Sequence, residues 1–127
     1  MKRVAICASV AVAAASVAGV ATEASGKPAA QRLKLKASDA GGKLRFNKKT
    51  LHAKVGKVTI TVTNPSSNSF PHAVEVEGKG IEKESKKAQP GKRASVKVTL
   101  KKKGTYEFYC PVGQHKQAGM KGKLVVS

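Results

Sequence analysis

The chain has no tryptophan, only three phenylalanines and two tyrosines, so aromatic side chains make up 4% of its 127 residues. That scarcity leaves little with which to stack the bases of a nucleic acid strand. Acidic residues are scarce too, seven against 25 lysines and arginines, for a formal charge of +18. Cysteine occurs twice, at Cys7 and Cys110. Beyond residue 30 no segment carries the apolar spacing of an amphipathic helix, which argues against helical bundles and alternating α/β architectures.

Long apolar runs are absent with one exception. Met1-Lys2-Arg3 is followed by Val4 to Ala21, mostly Ala and Val diluted by Ser9, Ser16 and Gly19. This is the layout of a secretory signal peptide. The run is short and weakly apolar for a hydrocarbon core of ~30 Å. No cysteine follows it directly, which argues against a lipid anchor. Small residues at Gly19, Ala21, Thr22 and Ala24 put the mature start between Thr22 and Ser25. The expected organisation is a signal peptide over 1–24, a flexible segment over 25–31 and one domain over 32–127, exported to a periplasm, a cell surface or the medium. Loss of 24 residues leaves 103, room for a single modest core. It also removes Lys2, Arg3 and Glu23, so the charge of +18 becomes +17. Cys7 leaves with the signal, and Cys110 stands alone. A solitary thiol in an oxidising compartment is either buried and inert or occupied, and metal ligation is one way to occupy it.

Apolar residues in the remaining chain recur with period two, the mark of half-buried strands. The runs are Leu33 and Leu35; Leu44 and Phe46; Val58, Ile60 and Val62; Val74 and Val76; Val96, Val98 and Leu100; Tyr106 and Phe108; Leu124 and Val126. Turn chemistry separates them at Gly41-Gly42, Asn64-Pro65-Ser66-Ser67, Gly78-Lys79-Gly80, Pro90-Gly91 and Lys103-Gly104. Seven to eight short strands at this spacing predict an all-β, Greek-key antiparallel sandwich. The charged stretch 81–89 is compatible with a turn of helix or a long loop.

The chemistry is concentrated in Thr105-Tyr106-Glu107-Phe108-Tyr109-Cys110-Pro111-Val112-Gly113-Gln114-His115, followed by Ala118-Gly119-Met120. Strand alternation puts Tyr106, Phe108 and Cys110 on one face, and the two aromatics mark that face as the core. Pro111 and Gly113 then end the strand, and the loop can curl His115 and Met120 back over the thiol. His72, in Phe70-Pro71-His72-Ala73-Val74, offers a second imidazole where a loop enters another strand. Singly, such a histidine is an ordinary surface or capping residue and such a methionine is core filler. Together, two imidazoles, a thiolate and a thioether are the ligand set of a blue-copper electron-transfer site, so His72, Cys110, His115 and Met120 are the candidate ligands of one copper ion.

At these residues the chain resembles the cupredoxins, the family of plastocyanin, azurin, auracyanin and halocyanin. The likeness runs from about Leu33 to Val126. It takes in the Tyr-x-Phe-Tyr-Cys strand, the turn into His115, Ala118-Gly119-Met120, and Pro71-His72 preceded by Val58-Thr59-Ile60-Thr61-Val62-Thr63-Asn64. The resemblance implies a one-electron carrier, with a ligand loop longer than plastocyanin's and closer to auracyanin's. Many family members carry an asparagine after the first histidine that pins the two ligand loops together; here Ala73 stands there. The resemblance also implies two backbone N–H donors to the Cys110 sulfur, from Ala73 and from Val112, since Pro111 has none to give.

Enzyme readings lack ligands. A dinuclear copper site needs a second cysteine in the loop, and a nitrite reductase or multicopper oxidase needs further histidines. His52 alone is left, on Thr50-Leu51-His52-Ala53, which reads as an outer strand with His52 at the surface. No orienting acid or base accompanies Cys110 as it would a nucleophile.

Lys34, Lys36, Lys97 and Lys101-Lys102-Lys103 fall on the solvent side of strands and loops. So large a charge steers a monomeric protein towards anionic surfaces, whether acidic redox proteins, lipid headgroups or cell-wall polyanions. By the same composition the neighbourhood of Tyr109, which points away from Cys110, is expected to be basic. Two alternatives remain: a copper storage or delivery protein using the same ligands, and a secreted polyanion-binding module.

Overall fold

The computed structural model describes residues 30–127; the expected signal peptide and nearly all of the expected flexible segment lie outside the described residues. Nine strands follow one another: β1 (Gln31–Ser38), β2 (Arg45–Phe46), β3 (Thr50–Ala53), β4 (Gly56–Thr63), β5 (Glu75–Gly78), β6 (Ile81–Glu84), β7 (Arg93–Leu100), β8 (Gly104–Tyr109) and β9 (Lys121–Val126). A single 3₁₀ turn, Ala40–Gly42, links β1 to β2. Among the described residues no helix is long and apolar enough to cross a membrane.

The period-two pattern decides which way each strand faces. β4 buries Val58, Ile60 and Val62 and turns Lys57 and Thr63 to solvent; β7 buries Val96, Val98 and Leu100 and exposes Ser95, Lys97 and Thr99. Two sheets result, in the orders β2-β1-β4-β7 and β3-β9-β8-β5-β6. Their inner faces share one core, to which Leu35, Ile60 and Leu100 come from the first sheet and Val76, Tyr106, Phe108 and Leu124 from the second. Each such side chain contributes on the order of 1.5–3 kcal/mol by leaving water.

The all-β sandwich is as expected, with its pairing mixed. β1 runs parallel to β4, Leu33 opposite Ile60, and β3 runs parallel to β9, Leu51 opposite Leu124. A parallel pair cannot be closed by a tight hairpin and needs a crossover. Here β3, between β1 and β4 in the chain, belongs to the other sheet, so β4 returns alongside β1 in the same direction. β1 begins at Gln31, one residue ahead of the expected domain start. The Gln31 side chain is tied to the backbone of Lys54, with Nε2 donating to its carbonyl at 2.7 Å and Oε1 accepting from its N–H at 2.6 Å.

The undecided stretch 81–89 is neither a helix nor wholly a loop. Ile81–Glu84 forms β6, which pairs antiparallel with β5 through Lys79 (φ 49°) and Gly80 (φ 83°), the two positive-φ residues that a tight type I′ hairpin demands. Beyond β6, Ser85 N–H donates to the Val74 carbonyl at 2.8 Å, and Ala88 and His72 exchange backbone hydrogen bonds of 2.7 and 3.0 Å. This return fixes the backbone of His72. His52 is exposed on β3, as expected.

Candidate metal centre

Two separate segments, residues 110–120 and the stretch around His72, converge at one end of the sandwich. Cys110 directly follows β8, with its side chain in the core cluster of Tyr106 and Phe108, and it is fully buried. Residues 111–120 then fold back as a compact loop: His115 N–H donates to the Val112 carbonyl at 3.0 Å and Ala118 N–H to that of Gln114 at 3.1 Å. Met120 N–H donates to the His115 carbonyl at 3.0 Å, and Cys110 N–H donates to the Met120 carbonyl at 3.0 Å. Cysteine, histidine and methionine are thereby locked to one another through the backbone. His72 arrives from the other side, held by Ala88.

His115 Nδ1 lies 3.5 Å and His72 Nδ1 3.9 Å from Cys110 Sγ, and the two imidazole centroids are 5.0 Å apart. One ligand atom from each of the three residues falls within 4.8 Å of the others. Cys110, His72 and Met120 are fully buried, and His115 is 9% exposed. A single thiol proton cannot satisfy two imidazole nitrogens aimed at one sulfur. A borderline-soft metal ion can, so the residues fit copper.

The protonation of these groups follows from burial. Burial pushes the Cys110 thiol up, and N–H groups of Ala73 and Val112 donating to the sulfur pull it part of the way back. Those are the two donors that the resemblance implied. Burial lowers the His115 imidazole and His72 lowers it further, against an opposing pull from Asp39.

Sequence reasoning missed Asp39. His72 Nε2 lies 3.0 Å from Asp39 Oδ2, although 33 residues separate the two in the chain. One signal was available: Asp39 is the sole acidic residue between Glu23 and Glu75 in a strongly basic chain. No asparagine follows His72, and the ligand loop is fastened elsewhere. Asn68 Nδ2 donates to the Ala37 carbonyl at 3.0 Å and to Asn64 Oδ1 at 2.7 Å; Asn64 Nδ2 donates to the carbonyls of Phe70 and Ala88, each at 2.8 Å.

The charge around Tyr109 is a second correction, being mixed rather than basic: Lys121 stands opposite Tyr109, Lys123 opposite Glu107, and Lys116 pairs with Glu107 at 3.2 Å, among five glutamates. The outward positions of β5, β6 and β8 carry Glu75, Glu77, Glu82, Glu84 and Glu107, five of the six acidic residues described. Glu75 pairs with Glu84 and with Tyr109, and Glu77 pairs with Glu82 and Glu107. Tyr109 is 8% exposed, its hydroxyl donating to Glu77 Oε2 at 2.6 Å, its ring capped by Lys116 Nζ at 3.9 Å from the centroid. Composition averages over the whole surface, whereas strand pairing gathers scattered glutamates onto one face. The outer face of the other sheet is basic, with Lys34, Lys36, Lys57, Arg93 and Lys97 all exposed.

A two-sheet β-sandwich with buried imidazole, thiol and imidazole groups meeting at one end defines a cupredoxin. Residues 33–127 match the family of copper binding proteins described as plastocyanin/azurin, and the chain belongs to that family, with copper as its cofactor. Auracyanin B superposes with a TM-score of 0.66 at 19% identity, over 82% of this chain and 93% of that one. Auracyanin A, described as a "blue" copper protein of the green thermophilic photosynthetic bacterium Chloroflexus aurantiacus, gives 0.64 at 25% identity, over 77% and 99%. A multicopper oxidase of Staphylococcus epidermidis is 38% identical over 39 residues, which are 31% of this chain but only 9% of the oxidase's length.

Proposed function

We propose that the protein is an exported one-electron carrier that holds a single copper through His72 Nδ1, Cys110 Sγ, His115 Nδ1 and, more weakly, the Met120 thioether. The observation that carries this reading is the convergence of three donor atoms within 4.8 Å, two from the loop of residues 110–120 and one from His72. Bound copper supplies a reversible Cu(I)/Cu(II) couple, for which soft sulfur suits the reduced ion and imidazole suits both. The residues do the rest. Burial of Cys110, His72 and Met120 keeps water from the donors. The Ala73 and Val112 N–H groups stabilise a negative sulfur. The hydrogen bonds among Cys110, His115 and Met120 hold the loop in place, so little has to move when an electron arrives. In this reading residues 1–24 direct export and the copper domain begins with β1 at Gln31.

Two electron routes leave the site, and they end on surfaces of different character. The Phe70 ring, 50% exposed, stands edge-on to His115 with centroids 5.9 Å apart, and Pro111 and Val112 lie half-buried close by. The Tyr109 route ends beneath glutamates. An acidic redox partner steered by the net positive charge would meet five glutamates against Lys116, Lys121 and Lys123 at the Tyr109 face, a less favourable contact than the basic sheet. We therefore assign transfer with such a partner to the His115 side, and the basic sheet face supplies the long-range attraction.

The test is a visible spectrum of the mature protein with Cu(II), followed by voltammetry. An intense thiolate-to-copper band, one copper per chain and reversible one-electron redox are expected, with the colour abolished by Cys110→Ser. Colourless, very tight Cu(I) binding would instead mean storage or delivery, and failure to bind copper would leave a polyanion-binding module.

A further inference from the structure

Asp39 is buried, 7% exposed, and among the described residues no lysine or arginine pairs with it. Its carboxylate is nevertheless fully engaged. Oδ1 accepts from the Ser69 N–H at 3.1 Å, and Oδ2 accepts from the N–H groups of Ser69 and Phe70 and meets His72 Nε2, each at 3.0 Å. The Asp39 N–H donates to Asn68 Oδ1 at 3.2 Å, so the residue is itself held in place. Backbone N–H groups reach both oxygens, the surroundings of an ionised carboxylate.

Two consequences follow for His72. An ionised carboxylate only accepts hydrogen bonds, so the Nε2 facing it must carry the proton. Nδ1 then presents its lone pair towards Cys110 Sγ, 3.9 Å away. A buried negative charge behind a ligand also strengthens that ligand's donation and favours the more highly charged metal ion. A merely structural aspartate would need only the backbone N–H groups of Ser69 and Phe70, and the ring contact would be unexplained.

We propose that Asp39 is a positioning residue of the copper centre, fixing His72 in its Nε2–H tautomer with Nδ1 aimed at the metal and favouring Cu(II) through its buried charge. It fastens the His72 segment to the end of β1, from the far side of the ring. The proposal rests on the reading of His72 as a copper ligand.

Asp39→Asn keeps the shape and removes the charge. The expected result is at least a tenfold loss of Cu(II) affinity relative to Cu(I), read as a rise in reduction potential of ~59 mV for each tenfold in a one-electron couple. A potential unchanged in Asp39→Asn, with only the melting temperature lowered, would reduce Asp39 to a structural residue and overturn the proposal. Should that variant fail to fold, nitrogen–proton correlation spectra of the metal-free wild-type protein decide the matter. A slowly exchanging, strongly downfield Nε2 proton on His72 supports it, and a proton on Nδ1 refutes it. A wild-type protein that does not turn blue with copper would instead defeat the ligand assignment, and the tautomer measurement tells the two failures apart.

Discussion

The Tyr109 hydroxyl donates a 2.6 Å hydrogen bond to Oε2 of Glu77, so the side chain next in sequence to Cys110 terminates among carboxylates in a protein of formal charge +18. This contact separates two functions that composition merges. In the proposed reading the net charge would attract anionic partners from a distance, and the glutamates at the Tyr109 face would oppose them at close range.

Electron transfer with an acidic redox protein should therefore be fast at low ionic strength and slow steeply as salt shortens the screening length to ~8 Å at ~0.15 M. Charge reversal within Lys101-Lys102-Lys103 should flatten that dependence if those residues take part in docking. Val112→Asp, beside His115, should slow transfer at every salt concentration, while Glu77→Gln should not slow it at all. Stopped-flow rates indifferent to salt would remove the docking role of the basic surface; slowing by Glu77→Gln would move the contact to Tyr109.

Met120 is wholly buried and joined to Cys110 and His115 through its backbone. Blue-copper axial bonds are long and weak, so Met120→Gln should keep the copper. The harder amide oxygen favours Cu(II), and the reduction potential should fall. Voltammetry giving an equal or higher potential would remove Met120 from the metal.

Tyr109 links burial to alkaline stability. Burial raises its phenol well above the ordinary range, and the hydrogen bond to Glu77 raises it further. Below the unfolded value of about 10, both the folded and the unfolded chain keep the proton and the stabilising contribution is whole. Above it the unfolded chain ionises first, so the contribution should shrink with rising pH by about 1.4 kcal/mol per unit. Denaturant titrations of wild type and Tyr109→Phe should show a stability gap that closes as pH passes ~10. A gap that stays constant would mean that the phenol is not held neutral.

Gly122 on β9 lies opposite Phe108. A Cβ at this position would collide with the Phe108 ring and with the carbonyl oxygen of Lys49. The carbonyl belongs to the backbone and cannot swing aside. Gly122→Ala should cost on the order of 1–3 kcal/mol, the range of an overpacked core. An unchanged melting temperature would mean that the sheet yields there without strain.

What could be read from the sequence was local. Period-two alternation foretold the inward faces of β1, β4, β7, β8 and β9, because a strand's side-chain direction depends only on its own residues. The loop from Cys110 to Met120 carried its ligand pattern within eleven residues, and Pro71-His72 could be recognised beside it. Residues 81–84 gave no such signal: with Glu82, Lys83 and Glu84 all exposed, β6 has no buried side to announce it.

What the tertiary structure decided were relationships between distant segments. No spacing rule joins Asp39 to His72, or β1 in parallel to β4. Such contacts arise only when the chain crosses between the sheets and the Asn64–Asn68 network folds residues 64–72 against the end of β1. The five glutamates of β5, β6 and β8 likewise became one face only when antiparallel register set Glu75 opposite Glu84 and Glu77 opposite both Glu82 and Glu107. Composition fixed how much charge the protein carries, and strand pairing, which brings side chains within ~5 Å whatever their separation in sequence, fixed where that charge stands.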